Sequence, residues 1–221
     1  MASAQLTRTN GTPTNADIGT VSFWLKRANI DLNNHYIISN YTDGSNYGYI
    51  RFKSGDQLQP YGTQSNDEKR TNKVFRDTNA WYHIVLRVDT SQGTAGDRVR
   101  VYVNGVQETS FSTSTNASQN ADYDLFKAGG SMRIGYIQSG TATYLDGQLA
   151  HFHYVDGQSY APTVFGETDA TTGIWKPKTD PGISTSNYGN NGFFLKFDNS
   201  ANMGLDSSGN SNNFTKKPLL P

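Results

Sequence analysis

Cysteine is absent from this chain of 221 residues, which excludes disulfide cross-links and thiolate metal ligands. Charge is also scarce, because only 17% of the residues are charged and the formal net charge is zero. We therefore expect no binding to nucleic acid driven by charge. No apolar run approaches the roughly 20 residues that a membrane-spanning helix needs. Membrane insertion is not expected either.

The amino-terminal residues MASAQLTRTNG lack the apolar core of a secretory signal peptide. We therefore expect assembly in the cytoplasm. A protein with a polar, surface-like composition would then need another way out of the cell, and release of a particle by host lysis provides one.

The residues that are abundant favour strands joined by tight turns. Ser, Thr and Asn supply more than a quarter of the sequence, together with 22 Gly, 13 Tyr and 11 Phe. In Trp81–Asp89 apolar residues alternate, so that Ile84, Leu86 and Val88 share one face of a predicted strand. Arg98–Val103 alternates in the same way.

The dipeptide Asn104-Gly105 is the clearest hairpin signal, because both residues tolerate the positive φ angles of a type I′ turn. Val106–Phe111 is predicted as the return strand. Further strands are predicted at six places: Thr20–Lys26, His35–Asn40, Tyr47–Lys53, Ser131–Ile137, Leu145–Val155 and Gly192–Phe197. Ala161–Phe165 is short enough for one helical turn, which Pro162 can begin.

Strands at this density, without an amphipathic helix of three turns, predict an all-β fold of two packed antiparallel sheets. Residues 1–221 form a single predicted domain with a short tail at 216–221, and Ser112–Asp122 and Asp180–Asn191 are predicted as long loops. Nine apolar residues are expected in the core: Phe23, Leu25, Ile84, Leu86, Val88, Val99, Val101, Leu149 and Phe197.

Four segments together resemble a known family: YLDGQLAHFHYVDGQSYAPTVFGETDATTGIWKPK at Tyr144–Lys178, SFWLKR at Ser22–Arg27, WYHIVLRVD at Trp81–Asp89 and YVNG at Tyr102–Gly105. Their order and spacing resemble the concanavalin A-like, or laminin G-like, jelly rolls, in particular those of tailed-phage virion proteins. The resemblance extends from about Leu6 to Thr215 and implies a two-sheet jelly roll.

The resemblance implies a non-enzymatic structural protein on the surface of a tailed-phage particle, as a capsid decoration or tail component. Such a protein could help attachment to glycans of the host surface. The alternative is a free-standing, lectin-like carbohydrate-binding module, and a glycoside hydrolase comes third because glucanases share the fold.

The partners expected from this resemblance are other virion proteins and further copies of the chain. A trimer is favoured by analogy with phage decoration and fibre proteins, since closed symmetry is usual for soluble homo-oligomers. The tail Lys216–Pro221 has two adjacent leucines between prolines. It is either a docking strip or a frayed terminus.

Glycosidase chemistry needs two carboxylates placed on either side of the scissile bond. The glucanase arrangement Glu-x-Asp-x-x-Glu has one near match here, which begins at Glu167 and Asp169 but carries Thr172 in the last position. The match follows a turn-rich stretch, and such a pair of carboxylates usually caps a turn. The sequence therefore favours a protein that is not an enzyme.

Three of the four histidines invite interpretation as metal ligands. His151 and His153 share a face if their strand is regular, and two imidazoles in that position could ligate a metal. His83 lies in the WYH motif. No third ligand can be named, so structural roles are favoured for all three.

Calcium is the one cofactor with support. The segment from Asp206 to Asn213 reads DSSGNSNN, and carboxylate and amide oxygens on a turn are the ligands that calcium prefers. It resembles a calcium loop of laminin G-like domains, which implicates Asp206, Asn210 and Asn212. Members with that site often carry an acidic residue at the place of Ala150. The alternative is a turn stabilised by its own side chains.

Aromatic side chains next to loops could hold a glycan, because sugars pack their C–H faces on aromatic rings. The same residues would suit a protein contact surface. Trp24, Trp81 and Trp175 are instead expected in the core or as loop anchors. Seven tyrosines are candidates for glycan contact: Tyr41, Tyr47, Tyr61, Tyr123, Tyr136, Tyr160 and Tyr188.

Overall fold

The computed structural model describes residues 5–30, 34–138 and 144–217. Strands account for 45% of the structure and helices for 6%, and two large antiparallel sheets dominate. The predicted all-β jelly roll is therefore confirmed. No helix within the described ranges is both long and apolar enough to cross a membrane.

The larger sheet has eight strands: β1 (Gln5–Thr9), β3 (His35–Asp43), β4 (Asn46–Lys53), β5 (Gln57–Gly62), β6 (Asp67–Thr71), β10 (Phe111–Thr115), β11 (Ser131–Ile134) and β16 (Thr215–Lys217). Their spatial order is β10-β6-β5-β4-β3-β11-β1-β16, and all the pairs are antiparallel. The first and last strands, β1 and β16, therefore lie at one side of this sheet.

The smaller sheet has six strands: β2 (Ile18–Arg27), β7 (Tyr82–Asp89), β8 (Val99–Val103), β9 (Val106–Glu108), β12 (Gly147–Asp156) and β15 (Phe193–Leu195). Their order is β15-β12-β2-β7-β8-β9. A separate hairpin of β13 (Gly166–Thr168) and β14 (Trp175–Pro177) and one short helix, α1 (Thr185–Tyr188), follow β12 in the chain.

The core is one apolar layer between the two sheets. Seven of the nine residues expected there are buried: Phe23, Leu25, Ile84, Leu86, Val88, Val99 and Val101. The other two, Leu149 and Phe197, are partly buried and pack against the edge of this layer. The alternation of the sequence therefore identifies the inward faces of β2, β7 and β8 correctly.

Several boundaries differ from the sequence prediction, and three of the differences concern the hairpin, the first long loop and the tail. The return strand of the Asn104-Gly105 hairpin ends at Glu108, and Phe111 begins β10, which pairs with β6 in the other sheet. The predicted loop Ser112–Asp122 therefore starts as a strand. Lys216 and Lys217 of the tail pair with β1. Their edge position argues against a frayed terminus up to Lys217, while Pro218–Pro221 lie outside the described residues.

A buried ion pair joins the two sheets. Arg27, at the end of β2, lies 2.8 Å from Asp56, which sits in the turn between β4 and β5, and neither side chain is exposed. The guanidinium of Arg27 also donates to the carbonyl of Phe75 and lies over the ring of Phe52, 4.4 Å from its centroid. Arg76 approaches Asp56 from outside, at 3.1 Å. Asp56 therefore compensates the buried charge of Arg27 at the end of the apolar layer.

Removing one partner of this ion pair should be costly, because the other charge would stay buried without compensation. We expect Asp56→Ala to lower the free energy of unfolding by about 3–5 kcal/mol. The matched control is Asp97→Ala, which removes an ion pair of 2.7 Å between partly exposed side chains, Asp97 and Arg100. That control should cost less than about 1 kcal/mol. Urea unfolding of both variants measures the difference, and equal losses would contradict a structural role for the buried pair.

Candidate functional site

The outer face of the eight-stranded sheet carries a group of aromatic side chains on three adjacent strands. Ile50 and Phe52 of β4 are fully buried in the core. Because successive side chains of a strand alternate between faces, Tyr47, Tyr49 and Arg51 point away from the core. Tyrosines of β3 and β5 stand beside them. We call this group the tyrosine face: Tyr36, Tyr41, Tyr47, Tyr49 and Tyr61.

The rings of the tyrosine face contact one another in a continuous array. Tyr49 stacks on Tyr61 with ring centroids 5.1 Å apart and on Tyr47 at 6.1 Å. Tyr47 also stacks on Tyr41 at 6.0 Å, and the edge of Tyr36 meets Tyr49 at 5.1 Å. Tyr36 and Tyr49 are buried, while the other three are half-buried. The exposed rings are therefore supported from below.

Arg51 of β4 brings a positive charge to the tyrosine face. Its guanidinium carbon lies 4.6 Å from the ring centroid of Tyr49 and 5.3 Å from that of Tyr36. Nε donates to Gln59 Oε1 at 2.7 Å, and Nη1 donates to the hydroxyl of Tyr36 at 2.8 Å. Burial raises the pKa of the Tyr49 hydroxyl above its ordinary value, so this group stays neutral. Arg51 is held in a fixed orientation.

The tyrosine face encloses a shallow cavity of about 360 Å³. Its lining combines aromatic rings, hydroxyl groups and one cation, and includes a buried aliphatic residue, Ile137, from the segment after β11. Tyr41 and Gly44 form the wall next to the hairpin between β3 and β4. This mixture of flat apolar surface and hydrogen-bonding groups suits a polar ligand with apolar faces.

The seven candidate tyrosines are divided by the structure. Tyr41, Tyr47 and Tyr61 converge on the tyrosine face, whereas the other four lie elsewhere. Tyr136 stacks on Tyr144 at 4.4 Å, beside Arg133 of β11.

The remaining three candidates do not form an open surface. Tyr123 is fully buried and donates to Asp67 Oδ2 at 3.1 Å. Tyr188 is buried against His153. Tyr160 is partly buried in the apolar cluster on the outer side of the six-stranded sheet. Tyr123 and Tyr188 lie in connections between strands as expected, but both are buried and their hydroxyls bond to interior groups, so neither is accessible to a glycan.

His83 joins the six-stranded sheet to the hairpin of β13 and β14. Its ring stacks on Trp24 at 4.9 Å and on Trp175 at 5.9 Å. Trp175 Nε1–H donates to Nδ1 of His83 at 2.9 Å, so Nε2 carries the proton that Ser22 Oγ accepts at 2.9 Å. Burial lowers the pKa of His83 to about 3. The imidazole is a neutral structural group.

The structural roles that the sequence favours fit two of the three tryptophans and both His151 and His153, and Trp81 is the exception. Trp24 is buried and Trp175 anchors the hairpin, but Trp81 is 39% exposed and belongs to neither class. His153 is buried and its Nδ1 lies 2.8 Å from the Tyr188 hydroxyl. A β-bulge places His151 at φ 47°. The regular alternation that would align both imidazoles is therefore broken.

The two carboxylates of the glucanase-like match form a turn. Asp169 Oδ1 accepts from the backbone N–H groups of Thr171 and Thr172 at 3.0 and 2.9 Å. Lys176 donates to its Oδ2 at 2.8 Å and holds the pKa of Asp169 below its usual range. Glu167 is exposed and lies 3.8 Å from the same lysine. This is the capping role that the sequence favoured.

The predicted calcium residues form a network of hydrogen bonds. Asp206 Oδ1 accepts from the N–H groups of Phe194 and Ser208, and its Oδ2 accepts from Ser208 Oγ and the N–H of Asn212. The side-chain amide of Asn210 donates to the carbonyl of Gly189 at 2.8 Å. The Asp206 carboxylate thus ties three segments together.

This donor set does not fit a calcium ion as it stands. Both oxygens of Asp206 already accept two hydrogen bonds each, and Asn210 presents N–H groups to the backbone. Asn212 Oδ1 accepts from the Arg8 guanidinium at 2.9 Å, which would repel a cation. No cluster of three or more His, Cys, Asp or Glu side chains is placed to hold a metal among the described residues. Calcium binding stays a prediction.

One pair of variants separates the two interpretations of this loop. Asp206→Ala should lower the free energy of unfolding by about 2 kcal/mol or more, because four donors lose their acceptor. Asp43→Ala is the control, since Asp43 is exposed and caps a turn through Ser45 and Asn46. Thermal unfolding with calcium and with chelator completes the test, and we expect equal midpoints. A midpoint that calcium raises in the natural protein but not in Asp206→Ala would establish the metal site.

Sequence reasoning missed Tyr36, Tyr49 and Arg51. The alternation of Tyr47, Tyr49 and Arg51 along a predicted strand was a usable signal. The sequence prediction considered tyrosines in or beside loops, whereas Tyr49 and Arg51 lie in the interior of a predicted strand.

Solved structures with this fold include three that differ in source. A putative carbohydrate-binding protein from Bacteroides ovatus is 18% identical with a TM-score of 0.61, and the match covers 99% of this chain but only 58% of that protein. A heptameric pentraxin from Limulus polyphemus is 21% identical with a TM-score of 0.49, covering 72% of this chain and 71% of the other. Domains LG4-5 of the mouse laminin alpha1 chain are 11% identical with a TM-score of 0.48, covering 71% and 40%.

No curated protein sequence matches the chain. The family comparison is more definite. The sequence profile of the concanavalin A-like lectin/glucanases superfamily matches residues 2–164, which is more than half of the chain. The protein therefore belongs to the concanavalin A-like lectin/glucanases superfamily.

Proposed function

We propose that the protein is a non-catalytic carbohydrate-binding module and that the tyrosine face is its ligand site. The stacked array of five tyrosines over a cavity of about 360 Å³ carries this proposal. Aromatic rings offer flat surfaces for the C–H faces of sugars, and their hydroxyl groups can bond to sugar hydroxyls. The Bacteroides ovatus protein, whose name describes carbohydrate binding, shares the fold. Because fold alone does not imply function, the site carries the argument.

The tyrosine face is well ordered for binding before a ligand arrives. Tyr49 contacts Tyr36, Tyr47 and Tyr61, and Arg51 packs across two of these rings. Each ring is thus restrained by a neighbour on the same sheet. A ligand that lies on this surface has little side-chain entropy to remove, so more of the contact free energy appears as affinity.

The half-buried rings offer the cleanest test, since their removal leaves the core intact. We expect Tyr47→Ala and Tyr61→Ala each to weaken glycan binding by about fivefold, which corresponds to about 1 kcal/mol for one aromatic contact. Trp81→Ala is the control, because Trp81 is an exposed aromatic residue next to the other sheet. Glycan-array screening identifies a ligand, and calorimetric titration with that glycan measures the affinities.

Two results would contradict a glycan site on the tyrosine face. One is the absence of any glycan that the natural protein binds above background. The other is a loss of affinity in Trp81→Ala that equals the loss in the tyrosine variants, since this would locate binding elsewhere or indicate general damage. Circular dichroism of each variant separates damage from a change in the site.

The absence of catalysis is also part of the proposal. Glu167 and Asp169, the sole near match to a glucanase motif, are engaged with Lys176 in an exposed hairpin. Neither carboxylate lines the cavity of the tyrosine face. A protein that releases reducing sugar from the glycans it binds would contradict this part.

The proposed biological setting is the surface of a tailed-phage particle, where other virion proteins and a homotrimer would be the partners. The support is the resemblance of Tyr144–Lys178 to phage jelly rolls. Mass spectrometry of purified particles tests this setting. Absence of the chain from virions would remove it and leave the carbohydrate-binding proposal standing.

A further inference from the structure

We infer that the tyrosine face selects acidic glycans and that Arg51 contacts the carboxylate of an acidic sugar. This inference rests on the proposed function, because it needs a glycan on that face. It goes further by naming the chemical class of the ligand and the residue that reads it.

The hydrogen bonds of Arg51 leave one edge of the guanidinium available. Nε is committed to Gln59 and Nη1 to Tyr36, so the plane of the group is fixed. Nη2 has no hydrogen-bond partner among the residues that the structure describes. The side chain is half-buried and lines the cavity. A pre-oriented guanidinium edge of this kind matches the geometry of a carboxylate, which accepts parallel hydrogen bonds.

The charges around the cavity favour an anion. Among the described residues, Arg51 is the one charged residue of the cavity lining, and that part of the lining includes no acidic side chain. Asp43, at the end of β3, is exposed, and its two oxygens accept hydrogen bonds from the neighbouring turn. Glu68 stands opposite Tyr61 on β6, and its Oε1 accepts from Gln59 Nε2 at 2.5 Å. Both carboxylates therefore already accept hydrogen bonds, and that of Glu68 is linked to Arg51 through Gln59.

A second cation lies on the same face. Arg133 of β11 pairs in register with Ser39 of β3, and Ser39 pairs with Tyr49 of β4. Its guanidinium is held by Gln5 and Ser131 and lies 5.8 Å from the ring centroid of Tyr136. The two arginines thus place positive charge on β4 and β11, on either side of β3. Arg133 is buried and its three guanidinium nitrogens donate to Ser131, Gln5 and Gln138, so it adds positive charge near the surface rather than a direct contact.

Selectivity follows from the cost of covering Arg51. A neutral sugar laid over the tyrosine rings would take water from the guanidinium and return only weak hydrogen bonds. A carboxylate would instead supply charge-assisted hydrogen bonds at a half-buried position, where screening by salt is reduced. The acidic sugar is therefore preferred although the aromatic contacts are the same for both.

The experiment compares matched glycans on one array: oligogalacturonate against galactose oligomers of equal length, sialylated against asialo glycans, and sulfated against unsulfated chains. Arg51→Gln and Arg51→Lys are tested beside Arg87→Gln. The last is the control because Arg87 lies in the other sheet, where its Nε donates to Ser159 Oγ, and its loss changes the net charge equally. Melting curves establish that each variant is folded.

We expect the natural protein to prefer carboxylated glycans over their neutral partners at least tenfold. Arg51→Gln should reduce this ratio about tenfold, Arg51→Lys should restore part of it, and Arg87→Gln should leave it unchanged. Raising the salt concentration should lower the affinity for acidic glycans more than that for neutral glycans. A merely structural role of Arg51 would lower both affinities together and leave their ratio unchanged.

Other outcomes overturn the inference in recognisable ways. Binding of neutral glycans alone, with the tyrosine variants impaired, would leave the proposed function in place and reject the acidic ligand. A preference restricted to sulfated chains would reject the carboxylate in favour of a sulfate ester. An acidic preference that survives in Arg51→Gln would reject the assignment to Arg51. Failure to bind any glycan would reject the proposed function and this inference together.

Discussion

The register of β4 is the constraint on which the tyrosine face depends. Its inward positions are Gly48, Ile50 and Phe52, and the side chains of Ile50 and Phe52 are fully buried. A Cβ atom at Gly48 would lie 2.8 Å from the backbone nitrogen of Leu125, so glycine lets the segment below approach this strand. Because side chains alternate, a slip by one residue would turn Tyr49 into the core and place the core residues on the outer face. Packing on one face thus fixes the array on the other.

The carboxyl-terminal segment completes the sandwich that the family profile leaves open. Beyond residue 164, the chain adds β15 to the edge of the smaller sheet and β16 to the edge of the larger one. Three anchors hold this segment: the contact of Trp175 with His83, that of Tyr188 with His153, and the bonds accepted by Asp206. The edges formed by β12 and β1 are thus replaced by β15 and β16, which have three residues each and offer less backbone for pairing with other chains.

Much of the fold could be read from the sequence because its central strands alternate apolar and polar residues. β2, β7 and β8 follow that rule, and their core residues were predicted correctly. β6 does not, since its sequence DEKRT is entirely polar and yet Asp67, Lys69 and Thr71 are buried. Burial of these groups depends on partners from distant segments, such as Tyr123 for Asp67. Patterning based on apolar periodicity carries no signal for such a strand.

The tyrosine face was harder to predict because its residues come from three adjacent strands. Tyr41, Tyr47 and Tyr61 could be named as candidates, but their convergence depends on the pairing of β3 with β4 and of β4 with β5. Tyr123 was a candidate for the same reason as these three, since it is also a tyrosine beside a predicted loop. Its hydroxyl points to Asp67 inside the sandwich. Spacing along the chain does not distinguish the two outcomes.

On this sheet, the side chains that stabilise the strands differ from those of the proposed ligand site. The inward side chains fix the strands, while the half-buried rings of Tyr41, Tyr47 and Tyr61 contribute mainly to the outer surface. Tyr36 and Tyr49 connect the two roles, since they are buried and support the exposed rings. Outer residues can therefore change without loss of the fold, whereas the two supporting rings cannot. The same rigid sheet can for this reason carry different ligand surfaces, which is how one fold serves many functions.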